Sequence, residues 1–164
     1  MPFFLLSIKA NLENVASLSA PPGFQFCLTV KNPQGEDTRE GIWVSAADEF
    51  PISGSRGTAN YVMRWVKGVG KEASMNVTEV KGVTHPEYTG DDSDQFVPIV
   101  AFECRGLDPI ELKPTGGWRV ESTSGKVFDD VDLSEGDWAE YDEDAGETVG
   151  VYEFTARFDV HKGK

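Results

Sequence analysis

The alternation of apolar and polar side chains along residues 149–160 constrains the fold of this chain more than any other sequence feature. A period of two places successive side chains on opposite sides of an extended backbone. The run therefore predicts a half-buried β-strand whose other face is largely charged or polar. The side chains of the predicted apolar face are Tyr152, Phe154, Ala156, Phe158 and Val160.

Similar short runs recur along the rest of the chain, separated by Gly, Pro, Asn and Asp. Many short strands between turn-forming residues are typical of a sandwich or barrel-like architecture. The sequence therefore predicts a mainly β fold. The further predicted strands are residues 3–10, 24–31, 41–47, 60–67, 74–81, 96–104, 117–121 and 125–131.

One segment departs from this pattern and predicts a short helix near residues 135–145. Ser134 precedes acidic residues as a helix N-cap does, and Trp138, Tyr141 and Ala145 follow at helical spacing. No low-complexity linker divides the 164 residues, so we expect a single compact unit over residues 1–164.

The charge of the chain is strongly negative, with a formal net charge of −13. Residues 129–147 hold ten acidic side chains and no Lys or Arg. Negative charge repels nucleic acid and anionic membranes, so we expect neither as a partner. A protein partner with a basic surface or a metal cation fits this charge, although a merely solvated surface also explains such a run.

Cysteine use and the N-terminal residues predict a cytoplasmic location, with the nucleus as an alternative. The two cysteines, Cys27 and Cys104, do not form the framework of a disulfide-rich protein. The N-terminal apolar run is short and lacks the basic residues of a secretory signal.

Five stretches of sequence, taken in order, resemble one known family. They are residues 12–15, 54–59, 102–109, 137–143 and 149–153. Together they are similar to the eukaryotic CXXC-motif-containing zinc-binding proteins, a family of unknown function. The resemblance implies two small β-sandwich-like halves of similar topology packed as one body. We place the halves at residues 1–90 and 91–164. It also implies a zinc ion held by two CXXC pairs in the first half.

The sequence departs from the family pattern at both CXXC pairs. The corresponding segments contain no cysteine, and the degenerate positions are Asn32, Gln34, Trp65 and Gly68. A structural zinc site needs four ligands, usually thiolates or imidazoles. The chain has only two histidines, and neither is near these segments in sequence. We therefore expect no zinc at this site and no other cofactor.

Turn-forming residues occupy the two segments where the metal ligands are missing. Residues 32–35 read Asn-Pro-Gln-Gly, a sequence that suits a type I turn. Gly68 and Gly70 suit a second tight reversal, and Trp65 offers a large ring to fill space. We expect coded turns and packing to replace the structural role of the metal.

Six residues form the candidate binding surface that the sequence suggests. The two arginines among them can bind an anionic ligand or form an internal salt bridge with residues 142–143. The two aromatic residues can form a binding patch or hold the predicted helix against the sheet. The six are Arg56, Arg105, Trp138, Tyr141, Asp142 and Glu143.

No pattern of catalytic residues stands out; Cys104 with His85 as its base is the nearest alternative. We therefore expect a non-catalytic intracellular binding or scaffold protein that has lost zinc binding. A small-molecule or carbohydrate-binding module that uses Trp43, Trp65 or Trp118 is a second hypothesis. An enzyme with an unrecognised site in the cleft between the halves is a third.

Overall fold

The computed structural model describes residues 2–162, and strands make up most of it. The mainly β prediction is confirmed, and one 3₁₀ turn, Gly90–Asp92, is the one helical element in the described residues. The strands are β1 (Phe3–Glu13), β2 (Val15–Ser19), β3 (Phe26–Lys31), β4 (Thr38–Val44), β5 (Phe50–Pro51), β6 (Thr58–Ala59), β7 (Tyr61–Met63), β8 (Ala73–Thr78), β9 (Glu87–Thr89), β10 (Val97–Arg105), β11 (Asp108–Lys113), β12 (Trp118–Ser122), β13 (Val127–Val131), β14 (Trp138–Asp142) and β15 (Glu147–His161).

The strands form four antiparallel sheets around one hydrophobic core. The largest sheet has the order β14-β15-β1-β10-β8-β7, and the next has the order β13-β12-β2-β9. A three-stranded sheet, β11-β3-β4, and the hairpin β5-β6 complete the fold. Aromatic rings link the sheets within the core: Phe26 contacts Phe102 at 5.3 Å between centroids, and Trp118 contacts Phe154 at 5.2 Å.

The strand pairing of the first half of the chain repeats in the second half. β1 pairs with β15 as β10 pairs with β8, and the hairpins β3–β4 and β7–β8 correspond to β12–β13 and β14–β15. Each repeat contributes one strand to a sheet of the other repeat, because β11 pairs with β3 and β2 pairs with β12. β1 and β10 pair with each other at the centre of the arrangement. The repeats are therefore intertwined.

The predicted helix near residues 135–145 is wrong. Residues 138–142 form β14, and β14 pairs with β15 from Trp138↔Val151 to Asp142↔Glu147. The helical spacing was misleading because Trp138 faces inward against Phe128, at 5.3 Å between ring centroids, whereas Tyr141 is exposed. Pairing within the β14–β15 hairpin and the packing of Trp138 on Phe128 outweigh the helical signals of this segment, which are weak determinants of structure.

The buried hydroxyl of Tyr88 ties β9 and the 3₁₀ turn to the central strand β1. Its oxygen accepts a hydrogen bond from the Ala10 backbone N–H at 3.2 Å. It lies 2.6 Å from the carbonyl oxygens of both Asp92 and Gln95, and it donates to one of them. The ring is fully buried, and this burial raises the pKa of the tyrosine.

Replacing Tyr88 with Phe should destabilise the protein by about 1–3 kcal/mol, because the Ala10 N–H and the nearby carbonyls lose a buried partner. Urea unfolding followed by fluorescence measures this change. The matched control is Tyr141→Phe on the surface, which should change the free energy of unfolding by less than about 0.5 kcal/mol. Equal effects of the two substitutions would contradict the role assigned to the Tyr88 hydroxyl.

Candidate functional site

The two segments in which the family resemblance implies zinc ligands lie side by side in the structure. They are the β3–β4 turn, residues 32–37, and the loop between β7 and β8, residues 64–72. Together with the end of β10 they line a cleft of about 660 Å³, which we call the loop cleft. Its lining includes Asn32, Gln34, Trp65, Val66, Val69 and Arg105. Two separate sequence segments thus form one site.

The first segment is a turn fixed by its own side chain. The Gly35 N–H donates to the Asn32 carbonyl at 3.2 Å, which closes the predicted turn. The Gln34 N–H also donates to the Asn32 side-chain oxygen at 2.9 Å. Pro33 presets the backbone between them. The turn therefore closes through groups that the chain itself supplies.

The second segment reverses at Gly68, as its glycines predicted. The Val69 N–H donates to the Val66 carbonyl at 3.0 Å. Gly68 and Gly70 have φ of 72° and 79°, a left-handed backbone conformation that glycine adopts without strain. The reversal leaves the side chains of Val66 and Val69 57% and 61% exposed at the tip of the loop.

Arg39 on β4 links the second segment to the first. Its guanidinium donates to the carbonyls of Arg64 and Trp65 at 3.3 and 3.4 Å and lies 5.5 Å from the centroid of the Trp65 ring. The Trp65 indole N–H donates to the Gly106 carbonyl at 2.8 Å, and the ring packs on the core. The sequence carries no signal for Arg39, because its partners are backbone carbonyls distant along the chain.

The side chains of the loop cleft do not fit a structural zinc ion. Both cysteines are buried elsewhere, in β3 and β10, and burial raises the pKa of the Cys104 thiol. The carboxylate of the cleft, Glu72, accepts a hydrogen bond from the Ser53 N–H at 2.7 Å. Within residues 2–162, no three Cys, His, Asp or Glu side chains converge as metal ligands do. The cleft offers neither a thiolate nor an imidazole to complete a tetrahedral set.

Asp142 fastens the corresponding two turns of the second repeat. Its carboxylate accepts hydrogen bonds from the Ser124 hydroxyl at 2.6 Å and from the N–H groups of Asp144 and Ala145 at 3.1 and 3.2 Å. The hydrogen bond from Ser124 contributes most to holding the pKa of Asp142 below its ordinary value. The residue is 0% exposed, so it belongs to the interior rather than to the candidate binding surface.

The other candidate binding residues fall in three separate places. Arg105 lines the loop cleft, and Arg56 lies in the β5–β6 turn. Trp138, Tyr141 and Glu143 lie on or beside β14, at the opposite edge of the large sheet from β7. Neither arginine forms an ion pair with another described residue, so the alternative of internal pairing with residues 142–143 does not hold in this structure.

Burial excludes two of the remaining sequence alternatives. Trp118 is 1% exposed and contacts Phe24 and Phe154, so it cannot stack on a sugar. Cys104 is fully buried, which places its thiol out of reach as a nucleophile. Trp43 is 51% exposed and is available to a ligand.

No helix among residues 2–162 has the length and apolarity that spanning a membrane requires.

Comparison with known proteins finds a matching family profile, related sequences and a solved structure of similar fold. The profile described as CXXC motif containing zinc binding protein, eukaryotic, matches residues 5–159. The bovine and human proteins of that name are 39% and 38% identical to this chain over 157 residues, which is 93% of this chain and 95% of each relative. A solved structure titled as a hypothetical protein from Plasmodium falciparum has a TM-score of 0.88 at 30% identity, covering 98% of this chain and 100% of that one. The chain belongs to the eukaryotic CXXC motif-containing zinc-binding protein family.

Replacing Asp142 with Asn should lower stability in a pH-dependent way. A folded-state pKa below the unfolded value, about 3.9, stabilises the fold above that pH. This contribution is lost as the pH falls through the lowered folded-state pKa. The melting temperature of the variant should therefore lie below that of the parent above about pH 5 and converge with it in stronger acid.

Glu140→Gln, which makes the same charge change at an exposed position on β14, is the control for this series. Thermal melts between pH 2 and 7 measure all three proteins. A difference between parent and Asp142→Asn that stayed constant across this range would show that the lowered pKa of Asp142 does not contribute to stability.

Proposed function

We propose that this chain is a non-catalytic intracellular binding protein whose fold does not depend on zinc. We further propose that it docks a protein partner with a basic surface on its acidic hairpin, defined as residues 138–147. The observation that carries the proposal is the exposure of Tyr141, 59%, on an edge strand surrounded by unpaired acidic side chains.

The contacts that hold the two turns of the loop cleft together support a fold that does not depend on zinc. In the first repeat, Arg39 and Trp65 join the two turns through hydrogen bonds and ring contact. In the second repeat, Asp142 joins the equivalent turns through its own hydrogen bonds. The fold thus contains two ways of fixing a pair of hairpin turns with protein groups alone.

The arrangement of the acidic hairpin supports a protein partner. Glu140, Glu143 and Asp144 are exposed and form no ion pair with another described residue. The contact of Trp138 with Phe128 fixes the hairpin against the neighbouring sheet. Tyrosine is enriched at protein interfaces, and it can also pair with a cationic side chain. Opposite charge on a partner accelerates and orients docking.

Zinc independence predicts well below one zinc per purified chain by elemental analysis. A chelator should change the melting temperature by less than about 1 °C, because no bound zinc contributes to stability. For scale, a loss of about 1 kcal/mol lowers the melting temperature by roughly 2–4 °C in a chain of this size. The variant Arg39→Ala should increase hydrogen exchange in residues 64–72, whereas Arg119→Ala on the surface should not. Stoichiometric zinc whose removal lowers the melting temperature would refute this part of the proposal.

Partner docking is tested by placing a photo-crosslinking amino acid at position 141 in cells, with position 160 as a matched exposed control. We expect a discrete adduct from position 141 alone. It should weaken when Glu140, Glu143 and Asp144 are changed to the corresponding amides and when salt is raised, because screening reduces exposed charge interactions. The absence of an adduct, or an adduct insensitive to these changes, would contradict docking on the acidic hairpin.

A further inference from the structure

The loop cleft continues into a second, more polar cleft of about 680 Å³. The two clefts share Gly70, Lys71, Glu72 and Arg105, so they form one depression beside the β7 edge of the large sheet. We call this depression the double cleft. The polar side chains that this part adds to the walls are Ser53, Ser55, Thr58, Arg64, Ser74, Asn76 and the carboxylate Glu103.

The double cleft carries unpaired positive charge in a strongly acidic protein. Arg64 is engaged, because it donates to the Gly70 carbonyl and lies 3.9 Å from Glu72. Lys71 and Arg105, in contrast, form no hydrogen bond or ion pair through their side chains with any residue among 2–162. Both residues are exposed. These two cations line both parts of the double cleft, and they outnumber the one carboxylate of its lining without an ion pair to a described residue, Glu103.

The same depression offers an apolar surface at a fixed position. Val66 and Val69 project from the loop tip, and the Trp65 ring lies beside them on the lining of the cleft. The fastening by Arg39 holds this loop in place before any ligand arrives. A preformed surface loses less conformational entropy on binding than a mobile one. The site therefore combines available cations with apolar side chains.

We propose that the double cleft binds an acidic, apolar-containing peptide segment of a partner protein. Carboxylates of the segment pair with Arg105 and Lys71, and an apolar side chain packs on Val66 and Val69. Charge complementarity selects an acidic segment, since the guanidinium fork of arginine matches a carboxylate. Two joined clefts offer more room than one small ligand fills, and this favours a peptide. The site is at the opposite sheet edge from the acidic hairpin and stands independently of the function proposed there.

The probe is a fluorescein-labelled octapeptide of alternating Glu and Leu, titrated at low salt and followed by anisotropy. We expect saturable binding that falls at least about tenfold for the double variant Lys71→Ala/Arg105→Ala, since charge-assisted hydrogen bonds are the stronger kind. The double variant Val66→Ser/Val69→Ser should also weaken binding. The matched control is Lys81→Ala/Lys113→Ala, which removes two exposed cations outside the cleft.

Peptides with Gln in place of Glu, or Ser in place of Leu, should bind more weakly than the probe. In a two-dimensional NMR spectrum, the peptide should shift the indole N–H signal of Trp65 and leave that of the buried Trp118 unchanged. No binding, equal loss in the matched control, or equal binding of the Gln peptide would overturn the proposal. Binding of N-acetylleucine as tightly as the peptide would also overturn it, in favour of a small carboxylate ligand.

Discussion

The antiparallel pairing of β1 with β10 and β15 is the constraint on which the rest of the structure depends. β1 is near the centre of the six-stranded sheet, and β10 is its counterpart in the second repeat. Leu6, Ser7 and Ile8 are all buried, so the middle of β1 is covered on both faces. Because β2 and β11 then cross to the small sheets of the opposite repeat, neither repeat can complete its own sheets alone. The intertwined topology explains why the chain has one continuous core.

Because the two repeats correspond, the pair of hairpin turns in the first repeat can be compared with the pair in the second. The comparison shows that each pair needs a side-chain connection. Each pair projects from the sheets as two adjacent loops, which need a connection to stay in register. In the first repeat the connection is Arg39 with Trp65, at the place where the family resemblance implies zinc. In the second repeat it is the buried carboxylate of Asp142. Different chemistry can thus serve one geometric requirement.

The distribution of charge distinguishes the two edges of the large sheet. The β14 edge carries exposed acidic side chains, whereas the cleft beside the β7 edge carries the unpaired cations Lys71 and Arg105. Exposed charges also discourage unwanted pairing along an open strand edge. The two surfaces have different chemistry, so we propose a different partner for each.

The sequence by itself determined many of the strands, the turns of the loop cleft and the lack of cysteine and histidine in its two loops. Period-two patterns located β1, β10 and β15, because alternation is a local consequence of strand geometry. Asn32, Gly68 and Gly70 predicted the turns in which they lie, because turn formation depends on neighbouring residues. Only the tertiary structure decided that residues 138–142 are a strand, that Asp142 and Trp118 are buried, and that Arg39 fastens the loop cleft. Trp118 and Arg39 contact residues far away in sequence. The strand at 138–142 and the burial of Asp142 rest on hairpin pairing with β15 and on Ser124 of the neighbouring turn. Local propensity does not encode such packing.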